Sequence, residues 1–323
     1  GRIASLKEAA LAQYLASEEA RRAVQTSLVA AVASTWLNLQ TDEELLALTR
    51  STLATREESL RLVQMRYRQG VASALDLRQA ESLVATARVA LAQQERQRAL
   101  DTNALTLLLG KAPALALLES TASPHAALAD IPVGLPSDLL VQRADVRQAE
   151  HNLRAANANI GAARAAFFPR ISLTASAGTA SGALSGLFKD GTWGWSLAPQ
   201  ALLPIFDAGR NQAALESAQA ARSMALAQYE KAIQTAFREV ADALAGRATL
   251  ADQVSAQQAQ AEAEAERLRL ADLRYRNGVA SSLEVLDAQR SVFTAQQALA
   301  QTRLALRQNQ VALYKALGGG WAN

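Results

Sequence analysis

Few side chains in this sequence are spaced to do chemistry, and the clearest set is charged. Leu283, Asp287 and Arg290 lie four and three positions apart, which puts them on one face of a helix. Taken alone, such an Asp–Arg pair is a solvated helix ion pair worth about 0.3 kcal/mol. Two Arg-Tyr-Arg triplets, Arg66–Arg68 and Arg274–Arg276, are each followed within two residues by glycine, at Gly70 and Gly278. Glycine there allows a helix to stop and reverse. Cysteine is absent, which excludes disulfides and thiolate metal sites, and the two histidines, His125 and His151, are isolated surface candidates. No nucleophile elbow, phosphate loop or paired acid in a plausible pocket is visible, so neither an enzyme activity nor a cofactor or metal is expected.

The elements that must position these residues are set by an internal repeat. Arg66–Leu75 (RYRQGVASAL) and Arg274–Leu283 (RYRNGVASSL) agree at eight of ten positions, 208 residues apart. The same offset aligns Gly1-Arg2 with Gly209-Arg210 and Leu109-Gly110 with Leu317-Gly318. Each copy therefore reads as a long helix, a glycine-capped turn and a second helix. Residues 2–69 contain neither proline nor glycine, enough for a helix about 100 Å long at 1.5 Å per residue. Leu46, Leu53 and Leu60 form a heptad stripe, as do Val292, Leu299, Leu306 and Leu313; Val84, Leu91 and Leu105 keep the spacing with a break at Arg98. Such stripes argue for coiled-coil packing against neighbours.

Ala23–Thr41 carries no charge, but Gln25, Thr26, Ser27, Ser34, Thr35, Asn38 and Gln40 make it too polar for a membrane helix. It reads as a helix buried between other helices. Residues 111–136 hold five helix-breaking positions, Pro113, Pro124, Pro132, Gly134 and Pro136, and read as a linker. Ser137 is placed to cap a returning helix over 137–166, supported by Asp138 at its positive end. The second and third helices together match the length of the first, so one long helix is expected to run down and two shorter ones, stacked end to end, to run back.

Across 167–206 the period changes to two. Ile171, Leu173, Ala175 and Ala177 alternate with Arg170, Ser172, Thr174 and Ser176, and Trp193, Trp195 and Leu197 alternate again after a Gly/Ser-rich loop. One face is apolar and the other rich in Ser and Thr, a pattern that fits a transmembrane β-barrel or a small hairpin packed on helices. Net charge is only +3, half of the residues are hydrophobic and many of those are alanine. With no basic tract interleaved with aromatics, nucleic acid is a poor partner.

FDAGR at Phe206–Arg210, the paired RYRxGVAS turns, LDAQRS at Leu286–Ser291 and the terminal YKALGGGW resemble the TolC-like outer-membrane efflux channels. The closest branch is that of the OprM-type lipoproteins of resistance-nodulation-division (RND) pumps. The resemblance covers the whole chain. It implies a mainly α fold with a small β part, in which residues 1–110 and 207–318 are two hairpins of a periplasmic α-barrel. It further implies an equatorial linker at 111–136, one hairpin of a transmembrane β-barrel at 167–206 and a short tail at 319–323. A homotrimer in outer-membrane lipid is implied, passive and docked to a periplasmic adaptor (membrane-fusion) protein and an inner-membrane RND pump. Its cargo would be drugs or other small molecules, and its place the outer membrane with most of the chain in the periplasm. Because one hairpin supplies half the strands such a barrel needs, a preceding segment with a second hairpin and an acylated cysteine is expected.

By the same resemblance Leu283, Asp287 and Arg290 belong to a closed periplasmic aperture, a leucine ring and a carboxylate ring. The first copy has Leu75, Gln79 and Ser82 there and lacks the charges. The two tips, Arg66, Tyr67, Arg68, Gly70, Val71, Ala72 and Ser73 with Arg274, Tyr275, Arg276, Gly278, Val279, Ala280 and Ser281, would dock the adaptor; read only as residues, they are helix caps and turns. Two other readings remain at this level: the exit channel of a type I protein-secretion or metal-efflux system, and a pore-less periplasmic coiled-coil scaffold.

Overall fold

The computed structural model describes residues 1–113 and 143–319. Among the described residues five α-helices and one hairpin follow in order: α1 (Arg2–Arg68), α2 (Ala74–Leu109), α3 (Ala144–Arg164), β1 (Arg170–Thr179), β2 (Trp193–Leu202), α4 (Arg210–Arg276) and α5 (Ser282–Ala316). The two long helices have 67 residues each and occupy matching places in the repeat. Ser137 and most of the proline-rich linker, with His125 and the end of the GGGW terminus, lie outside the described residues.

Pro169 and Pro204 stand just outside the hairpin, where a missing N–H ends strand pairing. The FDAGR segment then starts α4 through its aspartate. Asp207 accepts from the backbone N–H of Gly209 at 3.1 Å and of Asn211 at 2.9 Å. Gly209 takes a φ of 81° to make that turn.

The strands pair antiparallel, with Leu173 opposite Pro199, Ala175 opposite Leu197 and Ala177 opposite Trp195. Directly paired residues share a face, so Ile171, Leu173, Leu197 and Trp195 form one exposed apolar surface. On the other face Ser172 meets Gln200, and the Ser176 and Ser196 hydroxyls bond at 2.7 Å.

The chain divides into two compact units. The first holds Gly1–Arg21 and Ala144–Gln234, and its core is mostly alanine: Ala9, Ala12 and Ala16 of α1 with Ala155, Ala158 and Val146 of α3. Such small side chains let helices pack closely. A β-carbon on Gly161 would sit 2.7 Å from Ser5 Oγ. Glu19, buried in this unit, pairs with Arg147 at 2.8 Å.

The second unit, Arg22–Arg143 and Thr235–Asn323, carries the larger side chains. Leu39, Leu46 and Leu105 are all but sealed from solvent, and the stripe residues Val84, Val292, Leu299 and Leu313 are buried with them. Arg143 is buried as well, donating to Glu239 at 2.7 Å and to the Ala316 carbonyl at 3.1 Å.

One expectation needs correction. The uncharged stretch Ala23–Thr41 is not enclosed on all sides: Ala30, Leu37 and Leu39 are buried, but Val24, Leu28 and Val29 are exposed. A straight helix turns 100° per residue, so a single packing partner covers only one stripe of it. Among the described residues no helix is long and apolar enough to cross a membrane.

Candidate functional site: the helix tips and the adjoining aperture face

The two bends are built alike. In the first, the Gly70 N–H bonds the Tyr67 carbonyl at 3.0 Å and the Val71 N–H bonds the Arg66 carbonyl at 2.9 Å. In the second, Gly278 bonds Tyr275 at 3.0 Å and Val279 bonds Arg274 at 2.9 Å. This is the Schellman arrangement, and it needs the left-handed glycines, whose φ values are 73° and 74°. It satisfies carbonyls that the end of a helix leaves open. Val71 and Val279 are left about 70% exposed, at 72% and 69%.

The following helix starts differ. Ser73 caps α2 in a reciprocal box: its hydroxyl accepts from the Asp76 N–H at 3.1 Å, and the Asp76 carboxylate accepts from the Ser73 N–H at 3.1 Å. Ser281 sits at the same place before α5 but makes no side-chain cap bond. Glu284, the counterpart of Asp76, is drawn instead to Arg274 at 3.3 Å.

The tips of the two copies touch. The Ser282 hydroxyl donates to Asp76 of the first copy. Arg66 donates to the Tyr275 hydroxyl, and its guanidinium lies over that ring at 5.0 Å. Both bends therefore lie at one end of the second unit. Hydrogen bonds from Ser282 and then from Ser73 hold the Asp76 carboxyl below the usual carboxylate range, so the contact is charge-assisted at neutral pH.

Tyr67 and Tyr275, equivalent by repeat, thus have different roles. Tyr67 is 44% exposed, whereas Tyr275 is engaged by Arg66 and packs near Ala271, Val285 and Ala288. Arg276 is tied to Asp272 at 2.7 Å. Of the tip residues singled out in the sequence, Arg66, Ser73, Arg274, Tyr275 and Arg276 have side-chain bonds within the chain, while Val71 and Val279 present open apolar surface.

Leu283, Asp287 and Arg290 fall on one face of α5, and Leu283 is 54% exposed. Asp287 bonds Arg290 on its own helix and reaches Arg267 of α4 at 3.4 Å. Arg290 first, and Arg267 more weakly, hold the Asp287 carboxyl below its usual range. The carboxylate is thus ionised, half-exposed and committed inside its own hairpin. Leu283 is the residue on this face with an unfilled apolar side.

Sequence reasoning missed the Asp76–Ser282 and Arg66–Tyr275 contacts. The available signal was asymmetry: Asp76 becomes Glu284 in the second copy, although the turns are otherwise near-identical.

Comparison with known proteins gives one consistent result. The sequence profile of the family described as "Outer membrane efflux protein" matches residues 1–111 and 135–319. The solvent efflux pump outer membrane protein SrpC of Pseudomonas putida is 51% identical over 322 residues, covering 100% of this chain and 68% of that protein. A crystal structure of a membrane protein from Pseudomonas aeruginosa superposes with a TM-score of 0.94 at 49% identity, over 99% of this chain and 72% of the other. The open state of the Neisseria gonorrhoeae MtrE outer membrane channel superposes with a TM-score of 0.87 at 41% identity, over 99% and 72%. The present chain thus spans about two thirds to three quarters of the proteins it is similar to.

Proposed function

Because the chain belongs to the outer membrane efflux protein family, we propose that it forms the outer-membrane exit channel of a tripartite efflux pump of the RND type. The protein lies in the outer membrane with most of its chain in the periplasm. The observation that carries the functional reading is the match at 51% identity, over all of this chain and 68% of the relative, to a solvent efflux pump outer membrane protein. Its hairpin, with one apolar exposed face and one Ser-rich face, suits a barrel wall between lipid and water.

Transport through such a protein is passive, and the chain is not an enzyme. Three copies surround a water-filled duct, and small molecules, organic solvents among them, leave through it. The inner-membrane pump supplies the energy and an adaptor links the two. Val71-Ala72 and Val279-Ala280 present the shallow apolar surface that an adaptor helix tip would meet. Leu283 and Asp287 narrow the duct just inside these tips, and opening moves the α4–α5 hairpin away from α1–α2.

The test is complementation. A strain lacking its own exit channel but retaining the pump and adaptor regains solvent tolerance when the protein is expressed from its own gene. Tolerance equal to the empty-vector strain, with the protein present in the outer membrane, would refute the reading.

A further inference from the structure

The residue that best explains how the aperture face is held lies on the other repeat. Arg56 of α1 is 3% exposed, yet among the described residues no carboxylate pairs with it. A guanidinium taken out of water without a counter-charge is costly unless other groups compensate. Two groups do. The Leu83 carbonyl of α2 accepts from Arg56 Nη1 at 3.0 Å, and the Phe293 ring of α5 lies 5.1 Å from the guanidinium carbon. The Nε of Arg56 has no partner, and burial pulls its pKa down. Three helices thus meet on one buried cation.

Phe293 is one turn beyond Arg290, and Gln289 lies between Asp287 and Phe293. Gln289 Nε2 donates to Ser59 Oγ of α1 at 3.3 Å, and its carbonyl oxygen is left unpaired. At 100° per residue, Gln289 and Phe293 lie about a third of a turn round α5 from Leu283, Asp287 and Arg290. The side of α5 that presents the aperture residues is therefore set by how its neighbouring side sits on α1 and α2. The repeat does not demand this arrangement. The positions matching Arg56 and Ser59 in the second copy are Glu264 and Arg267, which pair with each other at 2.8 Å, and Phe293 matches Ala85.

We propose that Arg56 is the positioning residue of the aperture helix: anchored on Leu83, it clamps Phe293 and fixes the rotation of α5 that points Leu283 and Asp287 inward. This rests on the aperture role assigned above. The attraction holds only while the guanidinium lies over the ring face, so turning α5 carries Phe293 out from beneath Arg56 and loses the contact. Beside it, the Gln289–Ser59 bond ties the same side of α5 to α1. The clamp therefore favours the one rotation of α5 in which Phe293 lies under Arg56.

The test uses single-channel recording of the purified protein in planar bilayers, with thermal unfolding measured in parallel. Arg56→Met keeps the stem and removes the cation; it raises the frequency of open events about tenfold for each copy, the equivalent of one desolvated cation–π contact. Phe293→Leu does the same, Phe293→Tyr stays at the wild-type level, and Arg56→Met with Phe293→Leu opens no more often than either alone. Leu283→Ala with Asp287→Ala tests the aperture reading separately. If that variant leaves conductance unchanged, the aperture reading fails. If it raises conductance while Arg56→Met and Phe293→Leu only lower the unfolding temperature, the aperture stands and the positioning role of Arg56 is overturned. Should Arg56→Met not assemble, the contrast between Phe293→Leu and Phe293→Tyr decides: equal open frequencies overturn the proposal.

Discussion

Removing the two contacts between the tips, by Ser282→Ala with Tyr275→Phe, tests whether opening separates the second repeat from the first. Ser282→Ala deletes a hydroxyl donor to the ionised Asp76 and leaves the capping box of α2 intact, since Ser73 is untouched. A charge-assisted bond at a partly exposed site is worth about 1 kcal/mol. Tyr275→Phe removes the bond from Arg66 but keeps the ring 5.0 Å beneath the guanidinium, so its loss is about 0.5 kcal/mol. Together they weaken the closed state by about 1.5 kcal/mol per copy, roughly a tenfold shift. If three copies open as one unit, the shift multiplies to about a thousandfold. Open probability in planar bilayers measures it directly and separates concerted from independent opening. An unchanged open probability, with wild-type thermal unfolding, would refute the idea that these bonds hold the tips closed.

Two further outcomes follow from other parts of the fold. Burial and the facing carboxyl of Asp101 push Asp42 up to about 7. Unfolded, the group ionises near the ordinary 3.8, so between these values the folded chain holds a proton that the unfolded chain lacks. Raising the pH from about 5 to 7 therefore lowers stability, on the order of 2 kcal/mol. The helical unfolding midpoint should fall over that range in the wild type and stay flat in Asp42→Asn. On the hairpin, Leu173→Arg puts a charge on the apolar face opposite Pro199 and costs about 2–4 kcal/mol if that face meets the bilayer core. The variant should be depleted from the outer-membrane fraction, whereas Thr174→Arg on the other face should not.

The helices and the hairpin were legible because each depends on spacing along the chain. Uninterrupted helix formers from Arg2 to Arg68, a left-handed glycine at Gly70 and a period-two run from Arg170 all act locally. So did the shared face of Leu283, Asp287 and Arg290, which needs only 3.6 residues per turn. What could not be read were contacts set by the register between distant helices. Nothing near Arg56 in sequence announces that its guanidinium will lie over Phe293, and Asp42 and Asp101 are ordinary surface acids until α1 and α2 bring them together. Arg66 shows the same limit. As a residue of a repeated motif it looked equivalent to Arg274, yet one reaches across to Tyr275 and the other turns to Glu284.

The alanine-lined seams have a mechanical consequence. Bulky side chains interlock like cogs, and sliding one helix past another then means lifting each tooth out of its socket. The buried positions of the first unit include Ala9, Ala12 and Ala16 on α1 and Ala155 and Ala158 on α3, and there the teeth are single methyl groups. The resistance to a small axial slip is correspondingly low. Helices packed on methyl groups can shear past one another over a short distance and keep their shared core covered.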